Sequence, residues 1–290
     1  MGALVKKLDF LKKINPKPKV IGNHFLFTSD ALKILKQIPN ESVNLVITDP
    51  PYNIGLKYNT YDDSKDWTDY YAYLELVLIE LARILTFDGS LYLINYPEVN
   101  ARTLPSLDKT KLIFKRWLTW HYPTNIGHSK TNYTRSQRSI LFYTKTENNT
   151  FNKDAIIQPY KNPNVKKIKE LIASGKKGRV PYDALVMKDI FEIFNEEVPD
   201  VLNFNLLKNV SKDRAGSQDK TSKDHHPCQL PIALIETFIK ASSNKDDIVL
   251  DCFAGTFTTS AAAKKHGRMS IGIELDKDYT KLGIRRIING

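Results

Sequence analysis

The chain is poor in cysteine: it has two, Cys228 and Cys252, far apart in 290 residues and without metal-ligand spacing. A disulfide framework needs more of them, and a zinc site needs a denser Cys/His cluster. Neither is expected, and the compartment implied is a reducing cytoplasm. No apolar run approaches the roughly 18 residues that cross a bilayer, so no membrane partner is expected. The N-terminal lysines are not followed by an apolar stretch and a small-residue cleavage site, so secretion is not expected either. Internal repeats and low-complexity tracts are absent. Acidic residues are in deficit, 32 Asp plus Glu against 43 Lys plus Arg, which leaves a formal charge of +11. A basic surface concentrates polyanions around it and speeds encounter with them, so the charge nominates nucleic acid as a partner.

Hydrophobic residues make up 41% of the chain and charged residues 26%, ordinary values for a folded domain with a substantial core. Short runs rich in β-branched and aromatic residues predict strands at His24–Phe27, Val43–Thr48, Ser90–Asn95, Trp117–Tyr122, Ser139–Thr144, Ile248–Cys252 and Ser270–Glu274. Helical patterns lie between many of them. Asp30 is placed to cap a helix through Ile38, and Thr68 or Asp69 to start one reaching about Leu85, with Tyr70, Tyr73, Leu74, Val77 and Leu81 on one face. Residues 229–242 and 276–288 have the same spacing. Strands alternating with helices imply a mainly parallel sheet covered on both faces. Between residues 146 and 224 the pattern is broken by Pro159, Pro163, Pro181 and Pro199, and lysine and arginine concentrate there, which reads as a basic insertion on the sheet. Residues 1–19, with Pro16 and Pro18, read as a loosely held arm.

Two motifs carry chemistry. In the first, the apolar run Asn44–Thr48 leads straight into Asp49-Pro50-Pro51-Tyr52. Ligands of open α/β sheets bind beyond the carboxyl ends of strands. The two prolines stiffen the turn and remove two backbone donors. What remains is the Asp49 carboxylate, the bare Pro50 carbonyl and the Tyr52 ring, a set suited to a planar aromatic amine: two acceptors for two N–H groups, and a face for stacking. Such an amine is a poor nucleophile because its lone pair is delocalised. Acceptors outside the ring plane favour a pyramidal nitrogen and stabilise the positive charge that develops on it. If the amine belongs to a base in a duplex, the base must be extruded to reach this corner.

In the second motif, the strand Ile248–Asp251 enters a loop, Cys252-Phe253-Ala254-Gly255-Thr256-Phe257, which opens a helix at Thr258-Thr259. About twenty residues on, the next strand ends at Glu274, closely followed by Asp276. A tight glycine-containing loop lets a ligand approach the backbone, and a carboxylate at the neighbouring strand end takes ribose hydroxyls, the logic of a nucleoside pocket.

Together these residues resemble the amino-group DNA methyltransferases, from about residue 24 to 280. In that family Asp-Pro-Pro-Tyr is the catalytic motif, and a segment like Asp-Pro-Phe-x-Gly-x-Gly-Thr-Thr binds S-adenosylmethionine. The catalytic motif comes first here, with the basic stretch between the two, as in the β-class arrangement. His226-Pro227-Cys228-Gln229-Leu230-Pro231 resembles the segment that lines the methionine end of the cofactor, and Ser29-Asp30-Ala31 the segment that contacts its adenine. The resemblance implies a Rossmann-like, seven-stranded, mostly parallel sheet with a target-recognition insertion. It divides the chain into an arm (1–22), a catalytic half (23–145), the insertion (146–224) and a cofactor half (225–290). It implies Asp49, Pro50, Pro51 and Tyr52 as the catalytic set. For the cofactor pocket it implies Asp30, Asp49, His226, Asp251, Phe253, Gly255, Thr256, Thr258, Glu274 and Asp276.

The expected activity is methyl transfer from S-adenosylmethionine to the exocyclic amine of adenine in duplex DNA, by base flipping and direct in-line transfer. Transfer to the cytosine amine is the alternative, since members acting on cytosine more often have Ser in place of Asp49. A catalytically impaired DNA-binding relative is another. A homodimer and a cognate restriction endonuclease stay open as further partners. Three positions depart from the family pattern: Phe257 replaces a second glycine, Cys252 a common proline and Leu230 a customary lysine. The first is expected to narrow the cofactor pocket or fill space beside it. His225, His226 and Cys228 lack further ligands nearby, so no metal is expected.

Overall fold

The computed structural model describes residues 8–56, 58–121, 130–186 and 230–289. Among these, nine strands form one sheet in the order β1-β2-β9-β8-β3-β4-β6-β5-β7. They are β1 (Lys19–Ile21), β2 (His24–Thr28), β3 (Val43–Thr48), β4 (Leu85–Asn95), β5 (Ile113–His121), β6 (Gln137–Thr144), β7 (Ala184–Val186), β8 (Ile248–Asp251) and β9 (Met269–Glu274). The helices are α1 (Ala31–Leu35), α2 (Trp67–Ile84), α3 (Pro97–Asp108), α4 (Lys166–Ala173), α5 (Ile232–Ser242), α6 (Thr258–Lys265) and α7 (Lys277–Asn289). No helix among the described residues is long and apolar enough to cross a membrane.

All seven predicted strands are present, and two more extend the sheet to nine. The additions are three-residue edge strands, too short to leave a period-2 signal. One of them, β1, pairs antiparallel with β2 through a turn at Gly22 and Asn23, with Gly22 at φ +56°. The arm is not loose where it is described. Leu8, Leu11 and Ile14 are buried in the core while the lysines between and after them face solvent. Of the expected insertion, the described part is anchored to the sheet by β7, which runs parallel to β5.

Strands β3, β8 and β9 read as near-continuous apolar runs because both of their faces are covered. Alternate side chains go to opposite layers. Val46, Leu91, Leu93, Ile248 and Leu250 pack on one face, with α1, α2 and the arm. Leu45, Ile47, Tyr92, Ile94 and Val249 pack on the other, with α5 and α6. Helix α2 buries Tyr70, Leu74, Val77 and Leu81, four of the five residues of the stripe expected on its inner face, with Leu78 beside them and Tyr73 half-buried. It starts two residues before the expected cap: the Asp66 carboxylate accepts from the Thr68 amide at 2.8 Å. Each fully buried Leu or Val on that stripe contributes about 1.5–3 kcal/mol by burial.

Strands β2, β9, β8, β3 and β4 are mutually parallel neighbours, so their carboxyl ends share one edge of the sheet. From β3 the chain continues outward to β4, and from β8 it continues the opposite way to β9. The crevice between β3 and β8 is therefore the point where the winding reverses, the place where such sheets bind ligands.

Candidate active site

Asp30 follows β2, Asp49 follows β3, Asp251 ends β8 and Glu274 ends β9. Because these strands are parallel neighbours, all four carboxylates open on one cavity. The same cavity is lined by Pro50, Pro51, Tyr52, Phe253, Gly255, Thr256, Thr258 and Asp276. His226 lies outside the described residues, as do Lys57 and the histidine-bearing segment 122–129.

Asp49 is the unusual group. Its Oδ2 accepts from the Tyr52 hydroxyl at 2.7 Å. Its Oδ1 is buried without a hydrogen-bond partner. Burial pushes the carboxyl up to about 7; Arg138 and the Tyr52 hydroxyl act against that shift, and Asp251 adds to it. A buried acceptor left open is costly unless something fills it. Tyr52 is 1% exposed, its ring 4.8 Å from that of Tyr96, so it is not an open platform as the chain stands. The aromatic rings at the cavity wall also include Tyr58, Tyr61, Tyr70 and Tyr73.

The turn around the motif is held by side chains that the sequence pattern does not single out. The Tyr70 hydroxyl donates to the Pro51 carbonyl at 2.7 Å. Asp63, 2% exposed, accepts from the amides of Asn53, Ile54 and Leu56. The Tyr73 hydroxyl donates to Asp30 Oδ2, while Asp30 Oδ1 caps α1 at the Lys33 amide. Tyr70 is a core side chain and Tyr73 packs half-buried against the core, and the hydroxyls of both brace the cavity. Arg138 is the residue most thoroughly missed. The signal for it was an arginine at the start of an otherwise apolar strand.

In the second motif, Asp251 is satisfied by the chain itself. It accepts from Thr48 Oγ1, the Phe253 amide and Thr259 Oγ1, and burial raises it to about 6. Asp251 thus shapes the loop from within. Glu274 accepts the Gly255 amide at 2.7 Å and the Asp276 amide at 2.8 Å, one on each oxygen. Burial raises it to about 7. Each carboxylate oxygen keeps a lone pair that a hydroxyl donor can use. Asp276 Oδ1 caps α7 by accepting from Asp278 and Tyr279.

Phe257 does not narrow the cavity. At φ +59° its backbone takes the left-handed conformation that a glycine would favour, but its ring is fully buried beside Leu26, Ala254 and Ile287 and against Gly272 and Gly283. It is not part of the cavity wall. Leu230, by contrast, does line the wall.

A doubly covered parallel sheet, an acid-rich cavity at its switch point and an Asp-Pro-Pro-Tyr corner beside a nucleoside-type loop define a methyltransferase-like α/β enzyme. A family model described as DNA methylase (N6_N4_Mtase) matches residues 43–285. The chain belongs to this N6/N4 DNA methylase family. It is 34% identical over 278 residues to the DNA adenine methyltransferase YhdJ of Escherichia coli, covering 93% of this chain and 85% of that protein. It is 32% identical over 250 residues to the type II methyltransferase M1.MboII of Moraxella bovis, covering 84% and 89%. Among solved structures, the PvuII DNA methyltransferase (cytosine-N4-specific) shares the fold with a TM-score of 0.65 at 20% identity, over 92% of this chain and 87% of that one.

Proposed function

We propose that the protein transfers a methyl group from S-adenosylmethionine to the exocyclic amine of an adenine extruded from duplex DNA. The observation that carries this reading is Asp49 Oδ1, a buried acceptor without a partner, on a residue that lines the same cavity as the Gly255 loop and Glu274. Adenine is favoured over cytosine by an aspartate at the first position of the tetrad, and by the 34% identity to an adenine methyltransferase.

The cavity suits a cationic nucleoside. Among the described residues, its wall holds the carboxyl groups of Asp30, Asp49, Asp251, Glu274 and Asp276 against a single ammonium, Lys65. When bound, S-adenosylmethionine supplies an electrophilic methyl on a cationic sulfur. Glu274 is assigned to the ribose hydroxyls, and Asp30, Phe253, Gly255, Thr256, Thr258, Asp276 and His226 to the remainder of the pocket. Asp49 Oδ1 accepts one amine N–H and the Pro50 carbonyl the other, which leaves the nitrogen lone pair out of the ring plane. A carboxyl that titrates near 7 can also hold the proton the amine sheds, at Oδ1, before passing it to solvent. Tyr52 is assigned to stack on the base, which requires its ring to be uncovered as the base enters. Residues 146–224 are assigned to target recognition.

The test is to incubate the protein with unmethylated DNA and donor, digest the DNA to nucleosides and weigh them. Added mass on deoxyadenosine supports the reading, whereas added mass on deoxycytidine replaces it with the cytosine alternative. Asp49→Ala is expected to abolish transfer with the fold intact, and turnover by that variant would remove Asp49 from its role.

A further inference from the structure

We propose that Arg138 is a positioning residue for the transfer: it fixes the Tyr52 hydroxyl on Asp49 Oδ2, so that Oδ1 is the oxygen offered to the target amine. The inference rests on the role given to Asp49 above and adds a residue from a different part of the chain.

The topology explains how Arg138 gets there. Strand β6 runs antiparallel to β4, with Ser139 opposite Asn95. Its beginning, not its end, therefore comes to the edge where the parallel strands finish, and Arg138 enters the site from behind the catalytic turn. The side chain is fully buried. Its guanidinium lies 4.6 Å from the Tyr52 ring centre and 3.9 Å from that of Tyr96, and its Nε donates to the Tyr52 hydroxyl at 3.2 Å. Arg135 covers Tyr96 as well, at 3.7 Å.

A guanidinium cannot give up its proton under ordinary conditions, so this position is a permanent donor. The aromatic faces offset part of the cost of dehydrating it. Because Nε donates to the Tyr52 oxygen, the hydroxyl proton is directed outward, and it points at Asp49 Oδ2. A hydroxyl that accepts a charge-assisted hydrogen bond donates more strongly in turn. The result is a polar chain from Arg138 through Tyr52 to Asp49 with one allowed direction. It fixes the carboxylate plane and leaves Oδ1 open. Among the described residues, the other groups facing Asp49 are Asp251 from β8, which opposes its charge, and Tyr70 from α2, whose hydroxyl is directed at the Pro51 carbonyl. Arg138 is the cation that favours the ionised, accepting form.

The test measures single-turnover methylation across pH for Arg138→Met, Arg138→Lys and Tyr52→Phe, with DNA KM, donor binding by calorimetry and thermal melting on each. Arg138→Met is expected to slow transfer about 10- to 100-fold with DNA KM within about threefold, and to move the acid limb of the rate profile up by about one unit. Tyr52→Phe is expected to move the limb the same way, and the rate losses of Tyr52→Phe and Arg138→Met should combine to clearly less than their product, because part of the Arg138 effect reaches Asp49 through the Tyr52 hydroxyl. Arg138→Lys, which keeps the charge without the planar donor, should fall between. Arg138→Lys and Tyr52→Phe decide the matter where Arg138→Met does not fold. An unmoved acid limb with unchanged rate in folded Arg138 variants overturns the proposal, as does full additivity with Tyr52→Phe. Turnover by Asp49→Ala overturns the underlying role of Asp49 instead, so the two failures are told apart.

Discussion

Phe257 makes an opposed pair of predictions possible. Its left-handed backbone costs a non-glycine residue about 1–2 kcal/mol. Its buried ring returns more, since truncating a core Phe to Ala costs about 3–5 kcal/mol. Phe257→Ala keeps the strain and loses the ring, so about 3–5 kcal/mol is expected. Phe257→Gly loses the ring but relieves the strain, so about 2–4 kcal/mol is expected. The usual order, with Ala better than Gly, is thereby reversed at this position.

The neighbours sharpen the argument. A Cβ on Gly283 would sit 2.2 Å from Phe257 Cδ2, and one on Gly272 would sit 2.5 Å from Cδ1 and Cε1. Gly283 lies inside α7, where Ala is intrinsically better by about 0.8–1 kcal/mol. Gly283→Ala alone should nevertheless destabilise, because the clash with the ring exceeds that gain. In a Phe257→Gly background the ring is gone and the same change should stabilise. The coupling expected from a double-mutant cycle is about 1–3 kcal/mol. Urea unfolding of the four proteins, with calorimetry of donor binding on the folded ones, measures both halves. Donor affinity should stay within about threefold, since the ring is not in the cavity wall. A tenfold gain in donor affinity on Phe257→Gly, or a Gly283→Ala effect of the same sign in both backgrounds, would show that the ring points elsewhere.

Four further outcomes are expected. Burial raises Asp49 and Glu274 to about 7 and Asp251 to about 6, and a cationic donor prefers the carboxylates to the acids. Donor affinity by calorimetry should therefore increase between about pH 5.5 and 8 with release of protons, and a flat profile refutes it. For folding the sign is opposite: these raised acids stabilise the protein most below their unfolded values near 4, and that contribution is lost as pH rises through 6 to 7, a loss visible in thermal melts without ligand. Tyr70→Phe removes the donor to the Pro51 carbonyl and should cost about 1 kcal/mol in urea unfolding, lowering kcat more than it raises KM. Replacing Lys166, Lys167 and Lys169 on the exposed helix α4 with Gln should weaken DNA binding and flatten its dependence on log salt by about two to three units of slope, as a phosphate-tracking face requires. An unchanged slope removes α4 from the DNA contact surface.

The parallel half of the fold was legible because its strands are buried on both faces, and such runs announce themselves in sequence whatever their partners. The two edge strands were not, since three residues carry no period. The arm misled for a related reason: Leu8, Leu11 and Ile14 are spaced among lysines, and only their packing into the core cluster makes that spacing a buried stripe. In the site, the carboxylates that follow or end parallel strands could be nominated from a simple rule, because β2, β3, β8 and β9 all deliver their ends to one edge. Arg138 escapes that rule. Strand β6 is inverted, so it presents its start to the same edge, and which strand is inverted follows from pairing more than forty residues apart, Ser139 with Asn95. The same reasoning explains why Phe257 read as an obstruction. In a loop that usually needs two glycines, a phenylalanine is tolerable only if its ring has somewhere else to go. The space is provided by Gly272 and Gly283, fifteen and twenty-six residues later. The glycine has in effect moved from the loop to the surfaces that receive the ring, so substitutions at all three positions should be interpretable only together.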